Sequence, residues 1–262
     1  MPDDSTISAY GDELFNCMMT RSVVQPLTER ESEITIEDSY RISQQFLRRR
    51  LEANNETVVG KKIGVTSNVV QSMLGVFEPD FGFLTDAMQV GEGEISIGQL
   101  IQPRAEAEIA FRLSRSLKGP GVTADDVLAA TEAVLPCFEI VDSRIDNWQI
   151  KIQDTVADNA SCGIFVLGSG QVDARDIDLP ACKVTVKKNG QFLSEGFGSA
   201  VQGSPLEAVA WLANTFGRLG MSLDAGEVVL SGSLVPLEPI VPGDVMTMEI
   251  PGIGTTTARF VD

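Results

Sequence analysis

The spacing of apolar and polar positions changes character once along this chain. Up to about residue 58 it follows the period of a helix. In TIEDSYRISQQFLRRRLEA, residues 35–53, the apolar Ile36, Tyr40, Leu47 and Leu51 fall near helical spacing. Thr35 stands three residues before Asp38, in a weaker relative of the capping box. Arg48, Arg49 and Arg50 lie late in this helix, where positive charge suits the macrodipole, and read as a solvated face.

From Val58 onward, short apolar runs alternate with Gly, Pro and Asp turns. TVVGKKIGVT, EISIG, AEIAFRL, VLPCFEIVD, CGIFVLG, KVTVKKNGQFL, EVVLSG and VMTMEIPGIGTTTARFV are the expected strands. Asn189-Gly190 is a strong hairpin signal. SNVVQSMLG resembles a short helix ending at Gly75. TADDVLAATEAV predicts a helix from Thr123. SPLEAVAWLANTFGRLG predicts a second, with Ser204 as N-cap, Pro205 at its first position, Glu207 completing a capping box and Gly220 at its end. EPDFGFL puts Asp80 in a proline-introduced turn, and TVADNASCG, residues 155–163, reads as a polar loop. The pattern predicts an α+β chain: a helical region over 1–58, then a β-rich domain over 59–262.

Composition narrows the function. The 262 residues, 43% hydrophobic and 22% charged, are ordinary for a globular protein. A net charge of −17 argues against nucleic acid, whose phosphates need a basic surface. No apolar run reaches the roughly 18 residues of a membrane helix. The acidic start MPDDSTISAYGDELF lacks the form of a signal peptide, so the cytoplasm is the expected location. The four cysteines show neither C-x-x-C pairing nor zinc spacing, and buried free thiols are expected. Histidine is absent altogether. That excludes Ser-His-Asp and Cys-His catalysis and leaves acid–base work to Asp, Glu, Lys, Tyr or Cys. A metal would be held mostly by oxygen, which favours Mg²⁺, Mn²⁺ or Ca²⁺.

Three places carry candidate chemistry. In QPRAEAEIAF, Glu106 and Glu108 sit two apart on an expected strand, so both face one side, about 7 Å apart. Such a pair is either a solvated face or a cation site, because like charges that close repel. Glu139 lies inside the apolar VLPCFEIV, where a carboxylate needs a partner; Arg144 or a metal shared with the first pair would serve. Lys61 and Lys62 in GKKIG are either exposed strand-end charges or, for Lys62, a proton carrier in a cleft.

Taken together, VVGKKIGVTSNVVQSMLGVFEPDFGFL, LIQPRAEAEIAF, VLPCFEIVDSRIDNW, DTVADNASCGIFVLG and PGDVMTMEIPGIGTTTARF resemble the 2-keto-4-pentenoate hydratase group of the fumarylacetoacetate hydrolase superfamily. The resemblance runs collinearly from roughly residue 36 to the C-terminus. It implies a mixed, twisted β-roll core behind a small helical region. It further implies Mg²⁺ or Mn²⁺ held by Glu106, Glu108 and Glu139, catalysis by Lys62 and Asp80, and Ser161 beside the substrate. The implied reaction adds water to a 2-hydroxy-2,4-dienoate, giving a 4-hydroxy-2-oxo acid, in the catabolism of aromatic meta-cleavage products. Pentameric or decameric homo-oligomers are the implied assembly. Where relatives often carry Gly-His-Pro, this chain reads Gly203-Ser204-Pro205. Three alternatives stay open: a 4-oxalocrotonate-type decarboxylase, a relative recruited to another 2-oxo acid, and a non-catalytic partner subunit.

Overall fold

Helix α1 (Asp4–Thr20) starts where the Asp3 carboxylate accepts the Thr6 N–H at 2.8 Å. This is the computed structural model of the chain, which describes residues 2–67, 71 and 75–262. After the one-turn α2 (Leu27–Arg30), α3 (Ile36–Asn54) opens on the expected capping pair. The Asp38 N–H donates to Thr35 Oγ1 (3.1 Å) and the Thr35 N–H donates to Asp38 Oδ2 (3.2 Å). Asn55, in the left-handed region at φ 53°, ends it. The arginine run departs from the expected solvated face. Arg48 is exposed, but Arg49 lies over the Phe15 ring and Arg50 pairs with Glu56 at 2.6 Å. Packing of α3 on α1 and on the start of the sheet draws two of the three stems inward.

Thirteen strands form two sheets among the described residues: β1 (Val58–Gly64), β2 (Asp80–Thr85), β3 (Gln89–Val90), β4 (Gly93–Ser96), β5 (Arg104–Leu113), β6 (Thr131–Val141), β7 (Ile164–Leu167), β8 (Lys183–Lys188), β9 (Gln191–Phe197), β10 (Val228–Ser233), β11 (Glu238–Pro239), β12 (Val245–Ile250) and β13 (Gly254–Val261). The larger sheet runs β2-β1-β10-β5-β6-β7-β3, with β11 added beside β5. The smaller runs β4-β13-β12-β8-β9. Both mix parallel and antiparallel neighbours: β1 is parallel to β10 and β13 to β4, while β5–β6 and β8–β9 are antiparallel. This is the mixed, twisted β-roll that the resemblance implied.

Alternation along the strands makes two apolar layers. One layer, between the sheets and α6 (Pro205–Arg218), takes Ile109 and Phe111 of β5, Phe138 of β6, Val186 of β8, Met248 of β12 and Phe216 of α6. The other lines the opposite face of the larger sheet, with Leu84, Ala110, Cys137, Phe165 and Leu230. The N-terminal helices have their own cluster, from Leu14, Phe15, Ile42 and Phe46, but it also includes Ile145 and Ala157 from the later chain.

Several local expectations need correction. Asp80 is the first residue of β2 rather than part of a turn. Pro79 cannot donate to a ladder, so pairing starts immediately after it, with Asp80 opposite Gly64. The helix from Thr123 stops early: α4 covers Ala124–Ala130, and TEAV belongs to β6. Pairing of Thr131 with Leu113 continues a ten-residue strand, and that ladder overrides helical spacing. The loop expected at 155–163 begins within a short helix, α5 (Ile152–Ala157). Its Asp154 accepts from the Lys151 N–H and, from far away in sequence, from the Thr28 N–H and hydroxyl. Ser204 caps α6 through the Leu206 N–H (3.3 Å), but the reciprocal Glu207 contact does not form among the described residues. The Asn189-Gly190 hairpin has both residues at positive φ, 53° and 77°, as the tight turn requires. All four cysteines are buried and free. The helix expected over residues 67–75 lies for the most part outside the described residues.

Candidate metal centre and active site

Strand direction gathers charge at one end of the larger sheet. Because β1 runs parallel to β10 while β2 and β5 run against them, the C-terminal ends of β1, β6 and β10 meet the N-terminal ends of β2 and β5. The register then sets the neighbours. Lys62 lies between Gly82 and Leu230, Gly64 faces Asp80, Ser233 faces Glu108, and Glu106 faces Glu139. On β5, Glu106, Glu108 and Ala110 alternate to one side. Ala110 belongs to the layer of Leu84, Cys137 and Leu230, so the carboxylates stand at the edge of an apolar floor.

Glu106, Glu108 and Glu139 each present an oxygen within 4.8 Å of the others. Glu108 and Glu139 are buried and Glu106 is half-buried. Glu108 Oε2 accepts the Gly232 N–H at 2.8 Å, while its Oε1 and both Glu139 oxygens have no hydrogen-bond partner. The Lys62 ammonium, itself buried, lies 3.4 Å from Glu139 Oε1. Asp80 is buried too, and its Oδ1 is unpartnered.

These surroundings move every titration. Burial, reinforced by Glu139 and Glu106, holds the Glu108 carboxyl well above the usual carboxylate range. Burial raises Glu139 and Asp80 as well, opposed in both by Lys62. Glu106 is pushed up to about 7 by burial, against the pull of Lys62. For Lys62, burial favours the neutral amine, but Glu139 and the surrounding acids overcome it and raise the ammonium well above its ordinary value. Four carboxylates thus share one ammonium group. Ionised, they need more positive charge than Lys62 brings, and the unpartnered oxygens give it a place to sit. The donor set, all carboxylate oxygen, fits a hard divalent cation.

Arg144 is not the partner of Glu139. Its guanidinium is bound by Asp158, with Nε to Oδ1 at 2.5 Å and Nη2 to the Asp158 carbonyl at 2.7 Å, and the Cys162 carbonyl takes Nη1. Lys62 occupies the place beside Glu139 instead. Neither lysine of GKKIG is an exposed strand end: Lys61 points to the opposite face, where it pairs with Glu227.

Ser161 lies in a turn where Asn159, Ala160 and Ser161 hold φ of 54°, 52° and 53°. Three successive side-chain-bearing residues in the left-handed region are strained and persist only when surroundings fix them. Here the Asn159 carboxamide mimics a strand, accepting the Phe83 N–H and donating to the Phe83 carbonyl, both at 2.9 Å. The turn rests on Gly82, the residue facing Lys62. A Cβ there would meet the Cys162 sulfur at 2.6 Å. The Ser161 hydroxyl pairs with Thr155 at 3.2 Å, and its carbonyl takes the Asp142 N–H.

Sequence reasoning missed Gly232 and Asn159. Gly232 has φ 113°, and a Cβ there would collide with Thr66, so glycine lets its N–H reach Glu108. The small-residue turn LSGS after a strand was the one available signal. Nothing local marks Asn159 as a partner of β2.

The sequence model of the family described as fumarylacetoacetate (FAA) hydrolase, C-terminal, matches residues 61–261. The chain is 55% identical over 265 aligned residues to the 2-hydroxyhexa-2,4-dienoate hydratase of Comamonas testosteroni, covering 100% of both chains. It is 60% identical to the 2-hydroxypent-2,4-dienoate hydratase of Pseudomonas putida, over 84% of this chain and 100% of the other. Among solved structures, 4-oxalocrotonate decarboxylase from Pseudomonas putida G7, complexed with magnesium and adipate, superposes with a TM-score of 0.95 at 34% identity, over 100% of this chain and 99% of that one.

Proposed function

The chain belongs to the fumarylacetoacetate hydrolase family, and on that premise we propose that it is a hydro-lyase adding water to a 2-hydroxy-2,4-dienoate. The observation that carries this reading is the convergence of three carboxylates with unpartnered buried oxygens beside one ammonium group. Glu106, Glu108 and Glu139 would hold the divalent cation, Mg²⁺ or Mn²⁺. When bound, that ion supplies positive charge where the substrate's carboxylate and 2-oxygen gather electrons.

The remaining work falls to the chain's own groups. Hydration moves the 2-hydroxyl proton away, delivers a proton to C5, bonds the water oxygen to C4 and leaves a proton on C3. Lys62 and Asp80 are the proton carriers of this reading, since they are buried, adjacent and charge-coupled at the end of β1 and β2. The turn bearing Ser161 closes the side of Gly82 and excludes bulk water from Lys62. Exposed Phe192 and Phe197 on the edge strand β9 give an apolar surface that a homo-oligomer would cover.

The test is metal-stripped protein mixed with 2-hydroxypenta-2,4-dienoate. Loss of the dienol absorbance should require added Mg²⁺ or Mn²⁺ and yield 4-hydroxy-2-oxopentanoate, and Glu106→Gln should abolish it. A second reading, decarboxylation of a 2-oxo-3-enedioate, is favoured by the structural likeness to 4-oxalocrotonate decarboxylase. Release of CO₂ from that substrate with no hydration of the dienoate would replace the first reading with the second.

A further inference from the structure

Beyond the charged end of the larger sheet lies a cleft of about 430 Å³, whose described walls include Thr66, Phe77, Ser199, Ala200 and Gln202. It adjoins the carboxylates through the chain itself. Thr66 is two residues past the end of β1 and Phe77 three residues before the start of β2, so the cleft tops the strand ends that bear Lys62 and Asp80. Thr66 packs against Gly232, whose N–H holds Glu108, and the Thr66 carbonyl accepts the Gln202 N–H at 3.3 Å.

The walls offer hydroxyls, a carboxamide, a methyl group and an aromatic ring, but no cation. The sequence extends that statement to both segments: no Lys or Arg occurs between Gly64 and Asp80, nor from Asn189 to Gly217. The nearest ammonium groups are already matched, Lys62 by Glu139 and Lys61 by Glu227. The negative side is crowded, with four carboxylates at the sheet end and Glu78 exposed next to Phe77. A second carboxylate on a substrate would enter this cleft without a partner and against like charge. An apolar tail would instead meet Phe77, whose ring is 95% exposed at the rim.

We infer that this cleft receives the C5 end of the substrate and selects a short uncharged tail, with Gln202 and Phe77 as specificity-determining residues. The chain then takes 2-hydroxydienoates ending in hydrogen or a small alkyl group and rejects those ending in a carboxylate. This inference rests on the 2-hydroxydienoate reading of the site.

Two readouts keep the inference and that reading apart. Calorimetry on Mg²⁺-loaded protein compares 2-oxohexanoate with 2-oxohexanedioate, which need no turnover. Kinetics compare 2-hydroxyhexa-2,4-dienoate with 2-hydroxyhexa-2,4-dienedioate. The neutral-tailed member of each pair should lead by about 100-fold, the penalty of an unpaired charge in a partly dry site. Gln202→Arg should shift the ratio at least about tenfold toward the dicarboxylates, chiefly through their Kd and KM. Ser199→Arg, on the same wall, provides the same reading if the first variant fails to fold. A binding preference without turnover of either dienoate would sink the hydratase reading and leave the cleft's selectivity standing. Equal or tighter binding of the dicarboxylate, binding of neither acid, or a ratio indifferent to the introduced arginine would overturn the inference.

Discussion

At the scale of single residues, Glu108 shows how little of a buried carboxylate's environment is local. Its i,i+2 relation to Glu106 is plain in the sequence, because strand alternation alone puts the two on one side. The N–H that orients it comes from Gly232, 124 positions away, and no spacing rule reaches that far. Gly232→Ala tests the arrangement. The added methyl group would strike Thr66, and φ of 113° would be strained, so the N–H should swing off Glu108. Metal affinity should fall by about 10- to 100-fold, as for other orienting partners of a metal ligand, and titration calorimetry would measure it. Unchanged affinity would mean that Glu108 is held by its strand alone. The Arg144 misassignment has the same origin. Arg144 is close to Glu139 in sequence, yet Asp158 offers it a carboxylate and a carbonyl together, a fit that only the folded turn creates.

At the scale of elements, what can be read early is what is decided within a few residues. The Thr35–Asp38 cap and the Asn189-Gly190 hairpin both form as the sequence predicts. Asp80 in β2 and the TEAV start of β6 do not, because ladder pairing with β1 and β5 decides them. Helix α1 gives a pH test of a local device. The Thr6 N–H hydrogen bond holds the Asp3 carboxyl at about 2, below its ordinary 3.8. A lowered pKa contributes stability that is present above the ordinary value and lost as pH falls through the folded one. The first turn of α1 should therefore fray between about pH 4 and pH 2, seen as faster amide exchange at Thr6, while Asp3→Ala should show that fraying already at neutral pH. Exchange at Thr6 that ignores both changes would remove Asp3 as the cap.

At the scale of the whole molecule, the family match covers residues 61–261 and leaves the three N-terminal helices outside it. Their packing shows what they contribute. The Arg144 guanidinium lies over the Phe46 ring of α3 (5.3 Å to its centre), and Thr28 of α2 holds Asp154 of α5, so the helices brace the segment that leads into the left-handed turn on Gly82. The sequence separates a helical region from a β-rich one but gives no hint that the first supports the site of the second. A further consequence lies in the parallel pairing of β1 with β10, which brings Lys62 beside Leu230 across most of the chain's length. Such distant pairing is among the slowest events in folding, since the whole intervening loop must close first. Helical signal should return early in refolding, whereas uptake of Mn²⁺, followed by its effect on water relaxation, should wait for the last long-range closure. Uptake keeping pace with the helices would show that the acid cluster forms without β10. The carboxylates gathered at that seam make the ion a clock for the completed chain.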